Sequence, residues 1–155
     1  MCIEYLIITA KVFSGFAVPV IGFLGAYIAF RQWRTAAYRY KMDLFDKRFD
    51  VYDAIIDFIQ SIKSGGKVSD ESLATFKERT LPARFLFDKG IADYIAEIRE
   101  HAIDVQTWSQ EVEGMKAGDE KIEIQRKSSE VKKWLYSQLD EELNKRFQKY
   151  LALGR

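Results

Sequence analysis

Residues 38–62 read YRYKMDLFDKRFDVYDAIIDFIQSI, and their apolar side chains recur every three or four positions, as on one side of an α-helix. One row, with alternating spacings of four and three, forms a heptad seam: Tyr38, Met42, Phe45, Phe49, Tyr52, Ile56 and Ile59. A second row widens the stripe beyond what a two-stranded coiled coil needs: Leu44, Val51, Ile55, Phe58 and Ile62. The seam therefore serves either a coiled-coil contact between copies of the chain or packing within the chain's own bundle.

The rest of the chain also follows helical spacing, and no strand-like alternation of useful length occurs. No glycine or proline interrupts residues 31–63, so the helix that carries the seam can continue to the Gly65-Gly66 pair. Short loops and several helices predict an all-α protein with a small antiparallel bundle. The further helices are predicted as a short one capped by Ser69 or Asp70 and ended near Pro82, one over residues 91–112, and a long one from Asp119 to about residue 151.

Residues 12–30, VFSGFAVPVIGFLGAYIAF, carry no charge. At about 1.5 Å of rise per residue this run is roughly 28 Å long as a helix, close to the ~30 Å hydrocarbon core of a bilayer. We therefore predict a single N-terminal transmembrane helix over residues 12–30 that continues into the bundle. A short external tail over residues 1–11 and a cytoplasmic helical domain over residues 31–155 complete the predicted organisation.

Three alternatives to a stable membrane anchor arise from the same region. A cleaved signal peptide is disfavoured because the first residues carry only Glu4 and no small-x-small site precedes Arg31. A helical hairpin inside a soluble protein fits Pro19 and the glycines, but these residues are also tolerated in lipid. A lipid anchor on Cys2 lacks its motif, and the single cysteine excludes an intramolecular disulfide framework.

Basic residues crowd the C-terminal side of the uncharged run, and only Lys11 precedes it within the tail. The positive-inside rule then predicts a single-pass protein of the inner membrane, with the N-terminus outside and the C-terminal domain in the cytoplasm. An aromatic ring between two arginines is typical of the headgroup region. The predicted interface residues are Arg31, Trp33 and Arg34, and the basic flank continues with Arg39 and Lys41.

Small residues recur four apart within the predicted span, where they let a second helix approach closely. These pairs are Gly22 with Ala26 and Gly25 with Ala29. Together with the heptad seam they predict a homo-oligomer.

His101 is the single histidine, and it lies at helical spacing from Glu97, Glu100 and Asp104. A di-iron bundle site would need a second such cluster on a facing helix, and no second histidine exists to supply it. The interpretation we adopt is a solvated helix face. We therefore predict no catalytic residue, no metal site and no cofactor.

A helical chain with one histidine also resembles, in fold class, the HEPN-type ribonucleases. Their signature is an arginine followed by four to six residues and a histidine. The positions where that arginine would fall before His101 are Tyr94, Ile95 and Ala96, and none is arginine. The resemblance therefore does not imply a nuclease of this type.

Five aspartates follow helical spacing beside the seam: Asp43, Asp46, Asp50, Asp53 and Asp57. They form either a solvated face or one side of a set of ion pairs. The candidate basic partners on the last helix are Lys132, Lys133, Lys145, Arg146 and Lys149. Exposed pairs are worth about 0.2–1 kcal/mol each, so they would select register rather than hold the fold.

Residues 42–49, MDLFDKRF, follow a segment that reads Arg-Gln-Trp-Arg. This string resembles the Leu-Asp-Leu-Phe-Asp-Lys-Arg box of a group of uncharacterised small bacterial single-pass membrane proteins, and the match covers residues 20–60. In layout the chain is also similar to small membrane accessory proteins of anti-phage systems, including one that accompanies RNA-targeting CRISPR effectors and assembles as a pore. The resemblance concerns architecture, and fold alone does not imply function.

Two functions follow from the sequence. The first is a membrane-anchored, non-enzymatic interaction module whose cytoplasmic bundle self-associates or recruits a protein partner at the inner membrane. The second is an oligomeric membrane effector that alters permeability, as a toxin or an anti-phage defence component would. The expected partners are the lipid bilayer, further copies of the chain and a cytoplasmic protein. Nothing in the nearly balanced charge indicates nucleic-acid binding.

Overall fold

The computed structural model describes residues 2–152 of the 155-residue chain, and it describes side chains over residues 19–152. About 90% of the chain is helical, and the described residues contain no strand. This confirms the predicted all-α class. The helices are α1 Cys2–Gly65, α2 Asp70–Thr80, α3 Ala83–Leu86, α4 Lys89–Gly114, α5 Asp119–Ser137 and α6 Leu143–Leu151, with a π-helical turn over Gln138–Glu142.

The chain divides into two compact units, residues 1–42 and residues 43–155. We call them the N-terminal unit and the bundle unit. The N-terminal unit consists of the first part of α1, and the bundle unit contains the remainder of α1 with α2–α6. The side chains of the predicted external tail, residues 1–11, and of residues 12–18 lie outside the described residues.

Among the residues that the structure describes, no helix combines the length and apolar character needed to cross a membrane. This finding contradicts the predicted single-pass localisation in the inner membrane. Of the predicted span, only residues 19–30 have described side chains. Arg31 ends the uncharged run.

The core of the bundle unit is built on the second apolar row of α1. Four of its five members are buried and Leu44 is half-buried, so this row faces the other helices. Phe58 stacks on Phe76 of α2 with ring centroids 4.2 Å apart. The large side chains buried against the row include Tyr94, Ile98, Leu135, Leu143 and Phe147.

A glycine and two capping side chains mark where individual helices end and begin. Gly66 adopts a φ of 68° and terminates α1, where a side chain would be strained. Ser69 caps α2 and forms a capping box with Ser72. Asp88, which no pattern in the sequence indicated, caps α4 by accepting a hydrogen bond from the backbone N of Ile91 at 3.3 Å.

The predicted long last helix is divided by the π-helical turn into α5 and α6. Gln138 is buried in this turn, and its Nε2 donates to the backbone oxygen of Trp134 at 3.0 Å. The Tyr94 hydroxyl donates to Gln138 Oε1 at 3.1 Å, and burial raises the pKa of Tyr94. The buried side-chain amide of Gln138 therefore has a hydrogen-bond partner for both its nitrogen and its oxygen. An apolar side chain at this position of the π-helical turn would need no such partners.

Arg48 ties α1 to the ends of two other helices. Its Nε donates to the backbone oxygen of Leu86 at 3.1 Å, and its Nη1 donates to the backbone oxygen of Tyr150 at 3.3 Å. Its guanidinium also lies 5.9 Å from the ring centroid of Phe87 and 5.5 Å from that of Tyr150. Carbonyls in the last turn of a helix lack helical donors and carry partial negative charge, so a guanidinium is well suited to satisfy them.

We predict that Arg48→Ala lowers the free energy of unfolding of the bundle unit by about 2–3 kcal/mol, because two charge-assisted hydrogen bonds and the aromatic contacts are lost. Arg48→Lys should recover only part of this, since an ammonium cannot reproduce the guanidinium fork. The matched control is the exposed neighbour Lys47→Ala, expected within about 0.5 kcal/mol of wild type. Urea unfolding of the full chain measures all three; equal effects at both positions would refute the role of Arg48.

Candidate interaction surface

Every side chain from Pro19 to Lys41 is exposed. We call residues 19–41 the exposed segment. Its large apolar and aromatic side chains are 52–79% exposed: Val20, Ile21, Phe23, Leu24, Tyr27, Ile28, Phe30, Trp33, Tyr38 and Tyr40. A contiguous apolar surface of this extent marks a site of interaction, whereas single exposed apolar residues do not.

The residues predicted to pack in the span all lie on the exposed segment. Gly22, Gly25, Ala26 and Ala29 are exposed, and a Cβ added at Gly22 or Gly25 would meet none of the described atoms within 4 Å. The structure therefore leaves the space beside these small residues open to a second molecule.

The predicted interface residues Arg31, Trp33 and Arg34 are exposed as well. The Trp33 ring contacts that of Phe30, with centroids 6.1 Å apart. Together these three residues form an exposed basic and aromatic surface.

The heptad seam changes character along its length. Tyr38 is exposed and Phe49 is 44% exposed, whereas Ile59 is completely buried. Met42 and Phe45 are half-buried, as are Tyr52 and Ile56, and the last two pack against the core of the bundle unit. The alternative that the sequence left open is thereby resolved for Tyr52, Ile56 and Ile59, which belong to the chain's own core.

A row of contacting aromatic rings, which we call the aromatic ladder, runs from the middle of the heptad seam to α6. Phe45 stacks on Phe49 with centroids 6.0 Å apart, and Phe49 contacts Tyr52 at 5.7 Å. Tyr52 meets Phe147 of α6 edge-on at 5.5 Å, and its hydroxyl donates to Asn144 Oδ1. Beside the ladder lies an open cleft lined by Phe49, Tyr52, Asn144, Lys145, Gln148 and Leu151.

The acidic stripe is paired at one end. Arg79 of α2 bonds to Asp57 at 2.6 Å and to Asp53 at 3.0 Å, and the hydrogen bond to Asp57 is the main cause that raises the pKa of Arg79. Over the residues with described side chains, Asp43, Asp46 and Asp50 form no ion pair. A partner on α2 rather than on the last helix was missed because nothing in the spacing of Arg79 indicates it.

The basic residues predicted as partners of the stripe contact other groups. Lys132 donates to the backbone oxygen of Gly66 at 2.6 Å, and Arg146 bonds to Glu142 at 2.8 Å. Lys149 bonds to Asp88 at 2.8 Å, and this ammonium lowers the pKa of Asp88 to about 2. Lys133 and Lys145 are exposed. Within residues 19–152, α5 and α6 are thus bonded to their own bundle and form no ion pair with the stripe.

His101 does not assemble a site. Its ring lies edge-on to Trp134 of α5 with centroids 4.3 Å apart, and its Nδ1 is buried without a hydrogen-bond partner among the described residues. Within that part of the chain, no cluster of three or more histidine, cysteine or acidic residues could hold a metal ion. His101 is therefore half-buried packing against α5, not the solvated face that the sequence suggested.

The chain matches no protein-family model, no curated protein and no solved structure. The resemblances to small bacterial membrane proteins and to anti-phage accessory proteins thus stay predictions. The class that the structure defines is an all-helical protein with an exposed apolar helical segment and a compact helical bundle.

We predict that His101→Gln leaves both metal content and self-association of the full chain unchanged. The imidazole packs on Trp134, and the described residues place no set of metal ligands around it. Elemental analysis of the purified protein, compared with wild type, measures the first; light scattering measures the second. A stoichiometric metal in wild type that His101→Gln removes without unfolding would contradict this packing role.

Proposed function

We propose that the chain is a non-enzymatic helical interaction module that self-associates through the exposed segment of α1. The observation that carries the proposal is the uninterrupted exposure of residues 19–41, which includes ten large apolar or aromatic side chains. Burial of apolar surface stabilises association by roughly 25 cal/mol per Å², so a helix surface of this kind favours contact with a second apolar surface.

A second copy of the chain is the partner that the small residues support. The space around Gly22 and Gly25 is open, and small residues four apart allow two helix backbones to approach closely. A chain that presents such a surface presents it on every copy, so two copies can bury it against each other in a symmetric contact. A different protein could dock on the same surface, and the experiment below separates the two cases.

We do not propose the oligomeric membrane effector. The proposal also assigns no catalytic residue, since the single histidine, His101, packs on Trp134.

We predict that the wild-type chain in mild detergent is a dimer or larger oligomer, and that Gly22→Leu with Ala26→Leu weakens its association at least about tenfold. Leucine at these positions fills the open groove, and a Cβ added at Gly22 meets no described atom within 4 Å. Helical content and bundle stability should stay unchanged. Light scattering over a concentration series, with crosslinking in cells, measures the association.

The matched control is Gly114→Leu, which also adds leucine at an open helical position, but in the bundle unit. It should associate as wild type does. A wild-type chain that stays monomeric and uncrosslinked would contradict self-association, as would recovery of monomers bound to a different protein or to lipid vesicles.

A further inference from the structure

One row of side chains continues the contact proposed at Gly22 and Ala26 along the exposed segment. Its members recur with alternating spacings of four and three, as neighbouring positions on one side of a helix do. All of them are exposed. We call this set the small-aromatic row, and it consists of Gly22, Ala26, Ala29, Trp33, Ala36 and Tyr40.

The distribution of charge distinguishes this row from the other sides of the helix. An α-helix turns by about 100° per residue, so the six positions of the row fall within an arc of about 80°. The four basic residues of the exposed segment lie outside that arc. Arg39 and Lys41 lie about 100° to either side of Tyr40, and Arg31 and Arg34 lie on the far side of the helix. Because an unpaired guanidinium is costly to bury, a contact that runs the length of the segment must follow the uncharged side.

The small-aromatic row is complementary to itself in shape. Trp33 and Tyr40 are large, and they are 68% and 69% exposed. Alanine lies about one helical turn before and after Trp33, at Ala29 and Ala36, and Ala36 also lies one turn before Tyr40. Each copy of the chain therefore carries both the large rings and the gaps into which the rings of a second copy can pack.

We infer that two copies of the chain meet through the small-aromatic row, with Trp33 and Tyr40 as its anchoring residues. This inference rests on the proposed self-association and names the side of the helix that carries it. The two rings supply buried apolar area, and tryptophan and tyrosine are enriched at the energetic centres of interfaces. The small residues let the two backbones approach, and the basic residues stay in water at the rim. The whole row lies within the N-terminal unit.

The row is distinct from the heptad seam, which the sequence prediction combined with the small residues. Tyr38 is the first residue of the seam, and it lies about 160° around the helix from Tyr40. It shares its side of the helix with Arg34 and Lys41. The small residues and the start of the seam therefore do not form one continuous surface, and Tyr38 belongs to the basic side of the exposed segment.

Tyr38 and Tyr40 provide a matched pair for the test, because they are 66% and 69% exposed and lie on opposite sides of the helix. In the full chain, Trp33→Ala combined with Tyr40→Ala should weaken self-association at least about tenfold, since both anchoring rings are lost. Tyr40→Ala alone should weaken it at least about threefold, whereas Tyr38→Ala should stay within about twofold of wild type. Light scattering over a concentration series measures association, and circular dichroism should show unchanged helical content.

Pairs of lysines test the same side of the helix by charge. Ala29→Lys with Ala36→Lys places two charges in the row, and Ile28→Lys with Thr35→Lys places the same charges at the same spacing about 100° around the helix. All four positions are exposed. The first pair should weaken self-association at least about tenfold, because like charges of two copies then meet. The second pair should stay within about threefold of wild type.

Two kinds of result would overturn the inference, and they are distinguishable. The row is the wrong surface, while the proposed function stands, if wild type self-associates and the substitutions in the row weaken it no more than their matched controls do. If wild type does not self-associate under any condition in which it is folded, the proposed function fails and this inference fails with it.

Discussion

The bundle unit depends on the hydrogen bonds and aromatic contacts of Arg48. Arg48 occupies the place between Leu44 and Val51 in the apolar row of α1, where a large apolar residue would be expected. The guanidinium instead reaches two backbone carbonyls, one at the end of α3 and one in the last turn of α6. A charged group near a core is tolerated only when its donors are satisfied, and here it satisfies acceptors that would otherwise lack partners. Arg48 therefore joins α1 to the C-terminal ends of both α3 and α6.

This internal use of α1 decides which of its surfaces remain free. The row from Val51 to Ile62 is consumed by the bundle core, and Tyr52, Ile56 and Ile59 are drawn in beside it. Asp53 and Asp57 are occupied by Arg79. Between Pro19 and Asp50 the described side chains are exposed, apart from four that are half-buried: Met42, Leu44, Phe45 and Arg48. Association between copies is a direct way to cover the apolar groups of this part of α1.

The sequence predicted the fold class because its strongest signals are local. The apolar periodicity of residues 38–62 indicates a helix, and the Gly65-Gly66 pair indicates its end, as the φ of Gly66 bears out. The break between α5 and α6 could not be predicted from the sequence, because a π-helical turn inserts one residue without proline or glycine. The buried Gln138 of this turn is hydrogen-bonded to Tyr94, which is distant in the sequence. The role of Arg79 could not be predicted either, because its ion pairs with Asp53 and Asp57 also join residues that are distant in the sequence. Arg48 did carry a signal, since a basic residue stood at a core position of the periodic row.

The membrane prediction shows the opposite case, in which a strong local signal led to the wrong assignment. The uncharged run over residues 12–30 is long enough by count, yet among the described residues no helix is both long and apolar enough to cross a membrane. The acidic stripe was recognised, but its partners were sought on the last helix, whose basic residues serve Glu142, Asp88 and the Gly66 carbonyl. Charge periodicity identifies a face, whereas the choice of its partner depends on tertiary packing.

The most direct measurement is the distance between identical spin labels in two associated copies of the full chain. Cys2→Ser removes the single cysteine, and Tyr27→Cys places one label on the exposed segment. Two copies that pack at Gly22 and Ala26 place position 27 of both copies beside the contact, so the labels should lie within roughly 10–20 Å of each other, given the 8–10 Å spacing of packed helices. Labels too far apart for any coupling between copies, in a folded sample, would contradict self-association through the exposed segment.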